Sequence, residues 1–571
     1  MLSLFGKPAF FMRAFVLVTL FGLLQTGAVF AAAYPPLKDT GSGMVVSSHV
    51  LANAIGKAVL DDGGNAVDAA VAVGYALAVV HPAAGNIGGG GFAVIHLADG
   101  TDITLDFREK APLAATRDMY LDKDGNVVPG LSTLGYKAAG VPGTVAGMSA
   151  MLEKYGTKKL ADLMAPAVAL AENGYRINAR QELSLAEFKD DMAKFESSRK
   201  YFLKDDGSSY TEGELFVQQD LADCLKLIAE QGPSAFYQGR VADVIVADMV
   251  KNGGLITKED LAKYNVVWRE PVKGAYRGYT IVSMSPPSSG GTHIVQMLNI
   301  MEHLDIKESG FASSQTVFLM AEAMRHAFAD RSEYMGDPDF VAVPVDRLLS
   351  KEYARQIYET IRSNWGKATP SSLVKPGLPL REGNNTTHYS VVDKAGNAVA
   401  VTYTINESYG SAAAVMGAGF LLNNEMDDFA AKAGVPNIYG LVGNDANCIV
   451  PEKRPLSSMS PTIVLKDGKL FMVCGSPGGS RIITTTLQVI SNVIDHGMDI
   501  SEAVMAPRFH MQWLPDELRV EKYGLSKDVE NALKAMGYDI QVKAPMGDVN
   551  AILVDQETGV IYGTGDPRAE F

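Results

Sequence analysis

Thr386 and Thr404 are the residues whose spacing first suggests chemistry. They bound the stretch Thr386-Thr-His-Tyr-Ser-Val-Val-Asp-Lys-Ala-Gly-Asn-Ala-Val-Ala-Val-Thr-Tyr-Thr404, in which two β-type runs flank Lys394-Ala395-Gly396. A three-residue hairpin loop with Gly396 in the left-handed position pairs Asp393 with Asn397. Paired residue numbers then sum to 790, which sets Thr386 opposite Thr404, and a four-residue loop shifts this by one position. Cross-strand Cβ atoms lie about 4.5–5.5 Å apart, close enough for the two hydroxyls to interact. Threonine's preference for strands explains either residue taken singly. The common catalytic signatures are absent: there is no HExxH, CxxC, GxxxxGK or intact GxSxG, and the nine histidines are scattered. The motifs imply no metal and no cofactor.

Several elements must position that hairpin. Helical periodicity predicts helices over Val67 to Val80, Gly143 to Tyr155, Lys159 to Asn173 and Thr316 to Glu333, so residues 34–380 read as mostly helical. Two loops punctuate them, Gly85-Asn-Ile-Gly-Gly-Gly-Gly91 and Pro286-Pro-Ser-Ser-Gly-Gly291, beside the β-type runs Phe92 to His96 and Tyr279 to Ser283. Gly88 to Gly91 lacks GxGxxG spacing and reads as a close approach between backbones. From about residue 386 the texture changes to short strands, clearest at Tyr389 to Asp393, Ala398 to Thr404, Thr462 to Leu465, Leu470 to Cys474, Ala551 to Asp555 and Val560 to Tyr562.

The chain has 571 residues, 47% apolar and 20% charged, with 56 Gly and 26 Pro, which excludes a disordered chain, a coiled coil and a collagen-like fibre. A net charge of -14 argues against a nucleic-acid partner. Lys7 and Arg13 precede the uncharged run Ala14 to Ala33, which reads as a secretory signal over residues 1–33, cut after about Ala31 or Ala33; an uncleaved anchor is the alternative. The mature protein is then expected to be periplasmic or secreted, with no stable membrane span. Cys224, Cys448 and Cys474 allow at most one bridge.

Further motifs recur in order along the mature chain: Asp106-Phe-Arg-Glu109, Thr386-Thr-His-Tyr-Ser390, Thr402-Tyr-Thr-Ile-Asn406, Asn423-Asn-Glu-Met-Asp-Asp-Phe429, Arg454-Pro-Leu-Ser-Ser-Met-Ser-Pro461 and Gly475-Ser-Pro-Gly-Gly-Ser-Arg481. Together they resemble the γ-glutamyltransferase (γ-glutamyltranspeptidase) family of N-terminal-nucleophile hydrolases. The resemblance implies an αββα four-layer sandwich, made as a proenzyme that cuts itself between Asn385 and Thr386. The large subunit, 34–385, and the small subunit, 386–571, then form one interlocked heterodimer. It also implies the substrates: glutathione and other γ-glutamyl compounds as donors, with water, amino acids or dipeptides as acceptors.

The residues make physical sense of that chemistry. The Thr386 hydroxyl can attack the Asn385 carbonyl, and the freed α-amine, with a reference pKa near 7.7–8.0, can then serve as a base where no His is supplied. By resemblance Thr404 hydrogen-bonds the nucleophile, and Gly478 and Gly479 stabilise the oxyanion. A need for glycine at a sharp strand-to-helix turn is compatible with that role. The resemblance also implies that Arg108 with Ser457 and Ser458 takes the substrate α-carboxylate, and that Asn406, Glu425 and Asp428 take its α-ammonium. A structural salt bridge of Arg108 with Asp106 or Glu109 is the competing reading. The stretch Gly434 to Gly443 resembles a lid loop, with Tyr439 reaching toward Asn406. A related glutaryl-cephalosporin-type acylase and, from a different class, an exported solute-binding protein are the alternatives.

Overall fold

The computed structural model describes residues 35–374 and 386–568, except positions 433, 436, 438–440, 442 and 444. Two large sheets organise them. Their strands, in chain order, are β1 (Leu37–Asp39), β2 (Gly43–Ser47), β3 (Gly90–His96), β4 (Asp102–Phe107), β5 (Val267–Arg269), β6 (Val272–Tyr276), β7 (Tyr279–Ser283), β8 (Thr387–Asp393), β9 (Ala398–Thr404), β10 (Thr462–Lys466), β11 (Lys469–Cys474), β12 (Asn550–Val554) and β13 (Ile561–Gly565). The first sheet runs β2-β8-β9-β3-β4-β5 and the second β1-β13-β12-β11-β10-β7-β6.

The side-chain alternation of β8 and β9 explains the layering. Tyr389, Val391, Val399, Val401 and Tyr403 point into one apolar cluster with helices α1 (Val50–Asp61), α2 (Ala66–Val80) and α3 (Thr144–Tyr155). The intervening Val392, Ala398 and Ala400 point the other way, onto Val282, Ile463, Val473 and Ile552 of the second sheet. The outer face of that second sheet is covered by α4 (Gly290–Met301), α5 (Ser314–Tyr334), α6 (Arg481–Ile494) and α7 (Ile500–Met505). The result is the expected αββα sandwich.

The hairpin has the register counted from the sequence: Thr387 pairs with Tyr403 and His388 with Thr402. Asp393 N–H donates to Asn397 O at 3.0 Å, and Gly396 adopts φ +91°. The turn also reaches the helical layer. Asp393 Oδ2 accepts the Ala66 N–H at 3.0 Å, at the start of α2, where Asn65 and Asp68 form a reciprocal capping box. Tyr403 donates to Gly74 O of the same helix at 2.9 Å. The hairpin is thus fixed to α2 at both ends.

The predicted helices and C-terminal strands are present to within two or three residues. The helical reading of the first part was incomplete, because residues before 386 also supply β1 to β7, seven of the thirteen strands. β1, β2, β5 and β6 carry no clear alternation, and β2 is buried at every position, so period-two polarity had nothing to display; β4, Asp-Ile-Thr-Leu-Asp-Phe, does alternate and was overlooked. Cys224, Cys448 and Cys474 are all unbridged. No helix among the described residues is long and apolar enough to cross a membrane, and the secretory signal expected over 1–33 lies outside them.

Candidate active site

Thr386 immediately precedes β8, and Thr404 ends β9. By parity both lie on the face turned toward the second sheet. Thr404 is held from behind by the glycine run. A Cβ on Gly89 would come within 2.0 Å of Thr404 O, and one on Gly88 within 2.1 Å of Leu421 O, so only glycine allows these backbones to approach. Asn86 completes the clamp: its Nδ2 donates to Thr404 O at 2.9 Å, and its Oδ1 accepts the Gly89 N–H at 2.9 Å. Thr404 Oγ1 accepts the Asn406 N–H at 2.8 Å, and Asn406 sits at φ +75° with its Nδ2 on Asn424 O at 3.0 Å.

The histidine nearest the nucleophile in sequence does not supply a base. His388 is fully buried, with Nδ1 on Thr402 Oγ1 at 2.8 Å and Nε2 on Ser390 Oγ at 3.1 Å. Burial pushes its pKa down to about 3, leaving the imidazole neutral.

A single small cavity is lined by Thr386, Thr404, Arg108, Asn406, Glu425, Asp428, Ser457, Ser458 and Gly479, together with Leu441, Met459 and Ile482. A larger cavity of about 590 Å³ touches Thr386 and Gly478. Gly478 thus lines the larger cavity and Gly479 the smaller, Thr386 lines both, and the glycine pair forms a turn between β11 and α6. Gly478 has φ +135° and Gly479 φ +57°, conformations that favour glycine, and the pair sits at a helix start, where N–H groups lack intrahelical partners. Among the described residues neither N–H donates to a protein acceptor. Behind the turn, Ser480 Oγ donates to Gln512 Oε1 at 2.5 Å, and His510 Nε2 lies 2.8 Å from the same oxygen.

Arg108 follows β4 and is completely buried. Its guanidinium bonds Glu425 Oε1 and Asp428 Oδ2, and its Nε donates to Pro455 O at 3.3 Å. Neither competing salt bridge is its main contact: Glu109 Oε2 is 3.5 Å away, and Asp106 Oδ1 accepts the Arg108 backbone N–H at 3.0 Å. Burial opposes the charge of Arg108, but the attraction of Glu425, Asp428 and Glu109 outweighs it and holds its pKa above the ordinary range. Three carboxyls around this guanidinium cannot all ionise cheaply. Burial raises Glu109 to about 7 against the pull of Arg108, and burial, reinforced by Glu109 and Asp428, raises Glu425 well above its usual value. The cluster is both cationic and anionic within a few ångströms, matched to a zwitterion.

The serine pair is tied to the Pro286–Gly291 loop. Ser457 N–H donates to Pro287 O at 2.9 Å, and Ser457 O accepts both the N–H and the hydroxyl of Ser289 at 2.8 Å each. Sequence reasoning missed one residue here. Arg331, near the end of α5, is 3% exposed and donates from Nη2 to Ser458 Oγ at 3.1 Å and from Nε to Ser289 Oγ at 2.9 Å. The available signal was an arginine inside a helix predicted from its apolar spacing.

Asn385 and Tyr439 lie outside the described residues, as does much of the lid segment. The described part of that segment folds back on itself, with Asn437 N–H on Leu441 O at 3.1 Å, and Asn437 Nδ2 donates to Asp428 Oδ1 at 3.0 Å. Leu441 thereby forms part of the cavity wall.

Comparison with known proteins places the chain in a family. Residues 52–570 match the family model for gamma-glutamyltranspeptidase. The glutathione hydrolase proenzyme of Escherichia coli is 52% identical, with 99% of this chain and 98% of that protein covered. Among solved structures, cephalosporin acylase from Bacillus halodurans has a TM-score of 0.83 at 29% identity, covering 95% of this chain and 96% of that one. Gamma-glutamyltranspeptidase from Helicobacter pylori is 62% identical, with a TM-score of 0.59 over 60% of this chain and 97% of that one. With the family model spanning nearly the whole chain and a relative so similar along its full length, the chain belongs to the γ-glutamyltranspeptidase family.

Proposed function

We propose that this protein is a γ-glutamyltransferase and glutathione hydrolase, made as a proenzyme that matures by cutting its own chain at Asn385–Thr386. The observation that carries the reading is the convergence of Thr386, Thr404 and Gly479 with Arg108, Asn406, Glu425, Asp428, Ser457 and Ser458 on one cavity. In maturation Thr386 Oγ adds to the Asn385 carbonyl, the amide C–N bond breaks, and the resulting ester is hydrolysed by water. Asn385 then ends the large subunit, 34–385, and Thr386 begins the small one, 386–571, with a free amine.

In turnover that amine takes the proton of Thr386 Oγ, which attacks the γ-amide carbonyl of glutathione or a related donor. Gly478 and Gly479 N–H groups receive the oxyanion, and the amine of the leaving group departs with the proton. Water, an amino acid or a dipeptide then attacks the γ-glutamyl ester, and Thr386 Oγ leaves. The larger cavity beside Thr386 and Gly478 offers acceptors an approach from the side opposite the γ-glutamyl group.

Specificity rests on the zwitterionic end of the donor. Its α-carboxylate lies toward Arg108, Ser457 and Ser458, and its α-ammonium toward Asn406, Glu425 and Asp428. The acidic set favours a γ-glutamyl donor over a glutaryl amide, which has no ammonium. The enzyme acts in the periplasm or outside the cell, the location that the leader read from the sequence at 1–33 calls for.

The test is Thr386→Ala, expressed with its native leader. Both chain cleavage on a denaturing gel and turnover of γ-glutamyl-p-nitroanilide are expected to disappear, and persistence of either overturns the assignment.

A further inference from the structure

Among the described residues, Arg331 is a buried cation with no ion-paired carboxylate. Among the described residues no carboxylate lies within 4.0 Å of its guanidinium; its polar side-chain contacts are the hydroxyls of Ser289 and Ser458. Burial lowers its pKa to about 10, offset in part by Asp428, so it remains charged at neutral pH. An arginine isolated in this way calls for an explanation, because a buried, incompletely compensated charge opposes folding.

The hydroxyl inventory supplies one. A serine hydroxyl has a single proton and two acceptor sites. Arg331 Nη2–H occupies an acceptor site of Ser458 Oγ, and Met459 N–H occupies one of Ser457 Oγ at 3.1 Å. Each hydroxyl already receives an N–H, so each is directed to donate its own proton elsewhere, and both side chains line the cavity that holds Thr386. Arg331 acts on the backbone as well. By filling an acceptor site of Ser289 Oγ, it turns that hydroxyl's proton onto Ser457 O at 2.8 Å, which fixes the serine pair against the Pro286–Gly291 loop.

We propose that Arg331 is a positioning residue for recognition of the donor's α-carboxylate: it orients Ser458 directly, and Ser457 through Ser289, so that both hydroxyls donate to that carboxylate. The inference rests on the γ-glutamyl reading of the site. It assigns carboxylate specificity to a layer behind Arg108, and it accounts for how Arg108 can remain bonded to Glu425 and Asp428 while an anion is still attracted beside it.

The test compares three p-nitroanilides in the processed enzyme and in Arg331→Met. The γ-glutamyl donor carries both charged groups, the glutaryl donor lacks the ammonium, and the 4-aminobutanoyl donor lacks the carboxylate. Methionine is of similar length, and replacing a buried charge by an apolar side chain is often tolerated. In the variant, kcat/KM for the γ-glutamyl and glutaryl donors is expected to fall together by at least about tenfold, mainly through KM, while the 4-aminobutanoyl donor is unchanged. Arg331→Lys, which keeps the charge but not the fork, is expected to recover part of the loss. An equal fall for all three donors, or none, overturns the proposal, as does failure of both variants to fold and self-process, which would assign Arg331 to folding alone. Absence of γ-glutamyl turnover in the unmodified enzyme would instead count against the parent reading.

Discussion

Gly478→Ala isolates the contribution of the oxyanion turn. An added Cβ would lie 3.7 Å from Arg481 Cβ and 3.8 Å from Gly547 Cα, which is ordinary van der Waals contact. The perturbation is therefore confined to the backbone. At φ +135° glycine is unstrained, whereas an alanine held there costs about 1–3 kcal/mol. The chain relieves that strain by rotating the peptide, which swings an N–H away from Thr386. Removing one oxyanion donor typically raises the barrier by about 2.7–4 kcal/mol, a loss of about 10²–10³ in kcat. The assay is steady-state hydrolysis of γ-glutamyl-p-nitroanilide, with kcat referred to nucleophiles counted by the acylation burst and self-cleavage followed on gels. KM should hold, because the groups that grip the donor's charged end are untouched. A processed variant with near-normal kcat would refute the role given to this turn.

Two further outcomes follow from the same geometry. Gly89→Ala would drive a Cβ to within 2.0 Å of Thr404 O, backbone that Asn86 prevents from yielding, so the variant is expected to lose self-cleavage and soluble yield; a soluble, self-cleaving product would show that the clamp is dispensable. Glu109, raised by burial from 4.5 to about 7, binds its proton more tightly folded than unfolded, so it weakens the fold as pH rises through that window. At 1.36 kcal/mol per unit the loss approaches about 3 kcal/mol. Melting temperatures measured between pH 5 and pH 8 should decline less for Glu109→Gln than for the parent, and parallel curves would contradict the assignment.

What could be read in advance followed from local rules. The hairpin register depends on a turn of three residues and on period-two alternation, both local, and it placed Thr386 across from Thr404 before any tertiary contact was known. Gly478 and Gly479 stood out locally only as a sharp turn between an apolar strand and an apolar helix; their oxyanion role came from the family resemblance. The partners of Arg108 were not legible in this way. Its nearest carboxylates in sequence, Asp106 and Glu109, were the natural candidates, yet Glu425 and Asp428, more than three hundred positions away, take the guanidinium. Arg331 was hidden by the same kind of distance: its meaning depends on Ser289 and Ser458, contributed by two other segments. Short strands such as β2 and β5 escaped because their identity is conferred by the strands beside them.

The strand order carries a consequence for the assembled product. Strands from before and after Thr386 meet at four seams: β2 with β8 and β9 with β3 in one sheet, β1 with β13 and β10 with β7 in the other. A chain opened ahead of Thr386 therefore yields two pieces zipped together by backbone ladders, each of which would expose several unpaired strand edges if separated. Dilution should not part them. Once parted by denaturant, each piece becomes a template for the wrong partner, so reassembly competes with aggregation, and the uncut chain is the form in which this architecture can be reached reliably.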